Sequence, residues 1–233
     1  MTENKAHTIM LTPEERTFRQ HLLAVYNSGK MREAYDQAKE FYAAHPGTIL
    51  AKYLYAAMAG DFSDDISLPE EMRTELRETA KSLIKEVYEH KDLPQFEFSS
   101  HAKNEYFWFH KLHDQQYQLG EERVAAGEQR GYYSMCVGAS AMAKKCLLEL
   151  NDKNSAEAWA EKSIKAFHEF EKIDPNWHNI NYFYAYALAI QGNRPEAIAA
   201  YRDMYRKQNN SVNEAELSKF IAEAEQILSR LKE

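Results

Sequence analysis

The side chains with the clearest chemical potential lie near the middle of the chain, in Phe109-His110-Lys111-Leu112-His113-Asp114, with His101 nine residues before His110. Histidines at i and i+3 share a helix face and can hold zinc, with Asp114 as a third ligand or as the group that orients one. No His-Glu-x2-His or Cys-x2-Cys accompanies them, and nine histidines in 233 residues produce such a pair by chance. A chance pair is therefore expected, with no metal and no cofactor. Nucleophilic and phosphate chemistry lack their motifs: the sequence has no Gly-x-Ser-x-Gly, no Gly-x4-Gly-Lys-Ser/Thr and no Gly-x-Gly-x2-Gly. Ser140, among Gly138, Ala139 and Ala141, reads as a close helix contact. Asp61, Asp64 and Asp65, with Glu70 and Glu71 nearby, lack the spacing of a calcium loop and read as a solvated connection that caps the next helix. Cys136 and Cys146 are ten residues apart. On one helix that is about 15 Å, too far for a bridge, so both are expected to be reduced packing residues.

The elements that carry these residues are helical. Gly (8) and Pro (6) make up 14 of 233 residues, about half their usual share, which disfavours a turn-dense sandwich. A 44% hydrophobic fraction supports a packed core, and no apolar run reaches the roughly 18 residues of a membrane span. Net charge is -7 with both signs interspersed, so the clustered cations of a nucleic-acid interface are missing. The opening, Met1 to Leu11, carries no apolar secretory stretch, which points to a cytoplasmic protein.

Two segments repeat. Gly29-x3-Glu33-Ala34 is followed by Ala38, Phe41 and Pro46; Gly192-x3-Glu196-Ala197 is followed by Tyr201 and Met204. Glycine ends one helix in a left-handed cap, and the alanine marks where the next helix crosses it closely. Pro46 lies 17 residues after Gly29 and Pro175 lies 17 before Gly192, so the half-repeats sum to 34. This resembles the tetratricopeptide repeat, most clearly in residues 15–46 and 144–207. Between them, Gly29 to Gly120 is 91 residues and Gly120 to Gly192 is 72, which requires longer middle units. Helices are expected over about Thr48–Gly60, Leu68–His90, Ser99–Leu119 and Tyr132–Leu150. The stripe Leu217, Phe220, Ile221, Ala224, Ile227 and Leu228 marks a terminal cap.

The resemblance implies an all-α, right-handed α-solenoid of about five helix pairs with a C-terminal capping helix. It would form a single domain over 12–233 behind a loose arm over 1–11. In that family the first helices of the pairs line a groove that holds a peptide or partner helix. The phase set by Gly29, Gly120 and Gly192 places Arg16, Arg19 and Tyr26, then Phe107, His110, Asp114 and Tyr117, then Asn179, Tyr182 and Tyr186 on it, with Tyr53 from the second pair. The paired cations that clamp a chaperone tail are missing from these positions. The implied function is a non-enzymatic scaffold that binds a protein or peptide segment, and alanine at Tyr182 and Tyr186 should spare the fold. Two alternatives stand beside it: a ligand- or metal-binding helical domain or enzyme using His110, His113 and Asp114, and a self-associating structural protein.

Overall fold

The computed structural model describes residues 10–65, 67–207 and 212–232. Among them run eleven α-helices and no β-strand: α1 Pro13–Asn27, α2 Met31–Ala44, α3 Ile49–Phe62, α4 Glu70–Tyr88, α5 Ser99–Phe109, α6 His113–Ala125, α7 Gly131–Leu148, α8 Lys153–Ile173, α9 Ile180–Ile190, α10 Arg194–Lys207 and α11 Glu214–Lys232. None is long and apolar enough to cross a membrane. The all-α expectation holds. The helices divide into two compact units, the first ending at Lys111 and the second beginning at Leu112, where the sequence reads as one continuous array.

Local chemistry explains the helix ends. At α1, Thr12 and Glu15 form a reciprocal capping box: Glu15 N donates to Thr12 Oγ1 at 3.2 Å and Thr12 N donates to Glu15 Oε2 at 2.9 Å. Pro13 occupies the first turn, where its missing N–H costs nothing. Thr48 caps α3 and Asp152 caps α8. Gly29 (φ +82°) turns α1 into α2, and Gly192 (φ +80°) turns α9 into α10. After each turn the alanine, Ala34 or Ala197, is wholly buried at the crossing. Pro46 and Pro175 lie just past the ends of α2 and α8. The arm expected over 1–11 falls outside the described residues up to residue 9, but it is not loose at Leu11. That side chain is 4% exposed and joins the first unit's core, because burying a leucine contributes about 2 kcal/mol.

In the first unit, α1 packs on α2, α2 on α3, α3 on α4 and α4 on α5. Its core joins Leu22, Leu50, Leu54, Ile84, Leu93 and Phe98. In the second, each helix from α6 packs on its successor, and α7, α9 and α11 also pack on one another. Ser140 Oγ donates to the Phe183 carbonyl at 2.9 Å, tying α7 to α9, and Ser163 Oγ donates to the Cys136 carbonyl at 2.9 Å, tying α8 to α7. Cys136 and Cys146 are both free and buried. Burial pushes the Cys136 thiol up to about 12, so it stays protonated and inert.

Two boundaries differ from the sequence reading. The helix expected over Ser99–Leu119 is broken: α5 stops at Phe109, and Lys111 adopts a left-handed φ of +56°, which lysine rarely does. Gly120 is not a turn glycine. It lies inside α6, and with Gly131 and Gly138 it lets α6 and α7 touch through their backbones. A Cβ at Gly120 would meet Gly131 O at 2.7 Å, one at Gly131 would meet Gly120 O at 2.5 Å, and one at Gly138 would meet His113 O at 2.6 Å and Tyr117 N at 2.8 Å. Gly138→Ala must therefore separate two backbones. It is expected to destabilise the protein by about 3 kcal/mol in urea unfolding, whereas Gly47→Ala, with nothing within 4 Å, should be neutral or slightly stabilising.

Candidate functional site

The first unit brings α1, α3 and α5 together along one face. Two contacts set the register of α3 against α5. The Tyr53 ring stacks on Phe98, the residue that opens α5, with centroids 5.0 Å apart and planes at 12°. One end of the Phe109 ring sits where a Cβ on Gly60 would be, 2.2 Å from that position. Tyr53 and Gly60 are two turns apart on α3, and Phe98 and Phe109 are in the same order along α5. The two helices therefore run parallel, and Glu105 lies between the contacts, one turn before Phe109. Asp61 follows Gly60 directly. From α1, the Tyr26 hydroxyl donates to the Asp61 carboxylate, and the Arg19 guanidinium lies 3.6 Å from Glu97, just before α5.

The electrostatics of this face are unusual for surface carboxyls. Asp61 is exposed by area and Tyr26, Tyr53 and Glu105 are half-buried, yet neighbouring protein atoms desolvate the two carboxyls and the Tyr53 phenol. Desolvation raises Asp61 to about 6 against the opposing Tyr26 hydrogen bond, with Asp64 adding to the rise. Glu105 rises to about 8, first through desolvation and then through the Asp61 charge. The Tyr53 phenol is pushed up by burial and by Glu105 and Asp61, while Arg19 pulls it down. The face thus gathers two carboxyls that hold their protons more tightly than usual beside two phenols, groups that can accept a hydrogen-bonded cation and donate to peptide carbonyls.

Of the residues read from sequence, Arg19, Tyr26 and Tyr53 meet here, and Arg16 is exposed one turn before Arg19 on α1. Phe107 and His110, in the same unit, do not join them. Phe107 (8% exposed) is core, edge-on to Tyr88. Tyr117 (8% exposed) packs edge-on to Trp159 at 5.2 Å and lies under the Lys162 ammonium. Both were placed by taking Gly120 as a turn, and its position inside α6 shifts the phase. His110, which closes α5, is half-buried over Tyr106, with its pKa lowered by burial and by Lys81 and Lys85. His113 and Asp114 open α6, the first helix of the second unit, and Asp114 is exposed. Among the described residues no three His, Cys, Asp or Glu side chains converge on a metal position.

In the second unit, Asn179 precedes α9 and Tyr182 is half-buried on it. Tyr186 (3% exposed) is interior, because α11 covers this side of α9. Its ring is edge-on to Phe220 at 5.1 Å, Lys144 Nζ lies 4.0 Å above it, and its hydroxyl donates to Glu223. The expectation that alanine at Tyr182 and Tyr186 spares the fold is thus corrected. Tyr186→Ala should cost about 4 kcal/mol, lowering the melting temperature before any effect on binding can be read, while Arg16→Ala should leave thermal unfolding unchanged.

Asp61, Glu97, Phe98 and Glu105 escaped the sequence reading. The spacing of Tyr53, Ala57 and Asp61 at i, i+4 and i+8 could have placed Asp61 on α3 and not in the following loop. No family model, curated protein or solved structure matches this chain.

Proposed function

We propose that this protein is a non-enzymatic interaction scaffold of tetratricopeptide-like helix pairs, and that the α1–α3–α5 face of its first unit takes an extended segment of a partner protein bearing a lysine or arginine. The glycine-turned hairpins with buried alanines at their crossings, and the odd-numbered helices packed side by side in the second unit, support the stacked-pair reading. One observation carries the functional reading: Asp61, Glu105, Tyr26 and Tyr53 gather on an accessible face where the nearby cation, Arg19, already engages Glu97. Tyrosines offer wide contact area at small conformational cost, and a carboxylate in a partly desolvated setting strengthens a charge-assisted hydrogen bond.

Selection of a random displayed-peptide library on the purified protein tests this. Peptides enriched in Lys or Arg, binding about tenfold more weakly to Asp61→Asn, are the expected result. A peptide consensus without a basic residue, or one indifferent to Asp61→Asn and Tyr26→Phe together, would contradict it.

A further inference from the structure

We infer that the corner between Tyr117 of α6 and Trp159 of α8 is a binding site for a trimethylated ammonium, with the Lys162 ammonium as a tethered occupant that the ligand displaces. The two rings stand nearly perpendicular, at 83°, with centroids 5.2 Å apart. Lys162 Nζ lies over both, 4.0 Å from the Trp159 centroid and 5.2 Å from that of Tyr117. Both distances are inside the roughly 6 Å over which a ring quadrupole attracts a cation, and tryptophan is the strongest such ring. The corner thus already holds an ammonium against two aromatic walls.

The walls are set by packing. Helix α7 packs on both α6 and α8, and a Cβ at Gly138 of α7 would meet Tyr117 N at 2.8 Å, so the Tyr117 backbone is held close to α7. Tyr117 is nearly buried and Trp159 half-buried, which makes the tyrosine the fixed wall and the indole the open one. Lys162 follows Trp159 by three residues on α8, a spacing that brings its stem back over the indole.

The occupant itself is lightly held. Lys162 is exposed and forms no ion pair among the described residues; Glu161 beside it pairs with Lys165 at 2.8 Å. Moving out to water therefore breaks no salt bridge. A lysine ammonium is compact and strongly hydrated, so it gives up water to sit on rings. A trimethylammonium spreads its charge over methyl groups and donates no hydrogen bond, which suits it better to the same two walls. Glu121, exposed at the rim and accepting from the Tyr117 hydroxyl, adds negative charge there. Because the corner is open only while Lys162 is out, the lysine lowers the apparent affinity by the fraction of time it is in.

This corner belongs to the second unit and shares no residue with the proposed α1–α3–α5 face, so either can fail alone. Tetramethylammonium chloride is titrated into the full chain and the Trp159 indole N–H is followed by NMR, with sodium chloride and tert-butanol as the ionic and the uncharged controls. A saturable shift with tetramethylammonium alone is expected, about fivefold tighter in Lys162→Ser and absent in Trp159→Leu. Choline and the amide of Nε-trimethyl-lysine, titrated in the same way, distinguish a headgroup from a modified protein side chain by which binds more tightly. No saturable shift with any of the three in either wild type or Lys162→Ser overturns the inference. So does an equal response to tert-butanol, or an affinity unchanged in Lys162→Ser, and these comparisons decide it even where Trp159→Leu fails to fold.

Discussion

The parallel register of α3 and α5 depends on a ring seated on a glycine. Phe109 approaches Gly60 so closely that any Cβ would collide with it, and Tyr53 on Phe98 prevents the helices from sliding past one another. Of the two contacts, the Tyr53–Phe98 ring pair contributes about 1 kcal/mol beyond the area it buries. Their larger effect is positional, because they decide which side chains of α5 lie over α3. Glu105 is brought near Asp61 by this register; desolvation raises the proton affinity of both carboxyls, with the Asp61 charge adding to the rise at Glu105 and Asp64 to that at Asp61.

The second unit solves a similar packing problem differently. Its α6 and α7 meet through three glycines with backbone against backbone, and α7 and α9 are joined by a serine hydroxyl on a carbonyl. Small residues there spend no side-chain volume on the contact. The tyrosines of α9 are then free to build an aromatic layer with α10 and α11, in which Phe220 stacks on Tyr201 at 4.4 Å. The layer is interior, and burial keeps Tyr186 and Tyr201 protonated, Tyr201 being pushed up to about 12. Tyrosine is therefore used in two ways in one chain: as core in the second unit and as a polar-tipped surface in the first.

Much of the fold was legible in the sequence. Gly29 and Gly192 require left-handed backbone, and the alanines, prolines and capping residues around them follow from it. Where glycine served close approach instead, the same residue type misled: Gly120 has an ordinary helical neighbourhood in sequence, and its partner Gly131 is eleven residues away. The break at Lys111 carried no signal, since lysine is a residue that rarely adopts left-handed backbone. Arg19 and Tyr26 were found because they share the phase of a well-marked turn, and Tyr53 because it stands on the first helix of the next pair. Asp61 and Glu105 were missed because carboxyls on polar stretches look solvated until the neighbouring helix is in place.

The central claim is the register of α3 against α5, and the chemical shifts of the Gly60 α protons read it most directly. A Phe109 ring seated on Gly60 should shift them away from ordinary glycine values and give cross-relaxation between the ring and those protons, both lost in Phe109→Leu. Gly60 α protons at ordinary shifts with no contact to Phe109, in a folded chain, would contradict the account.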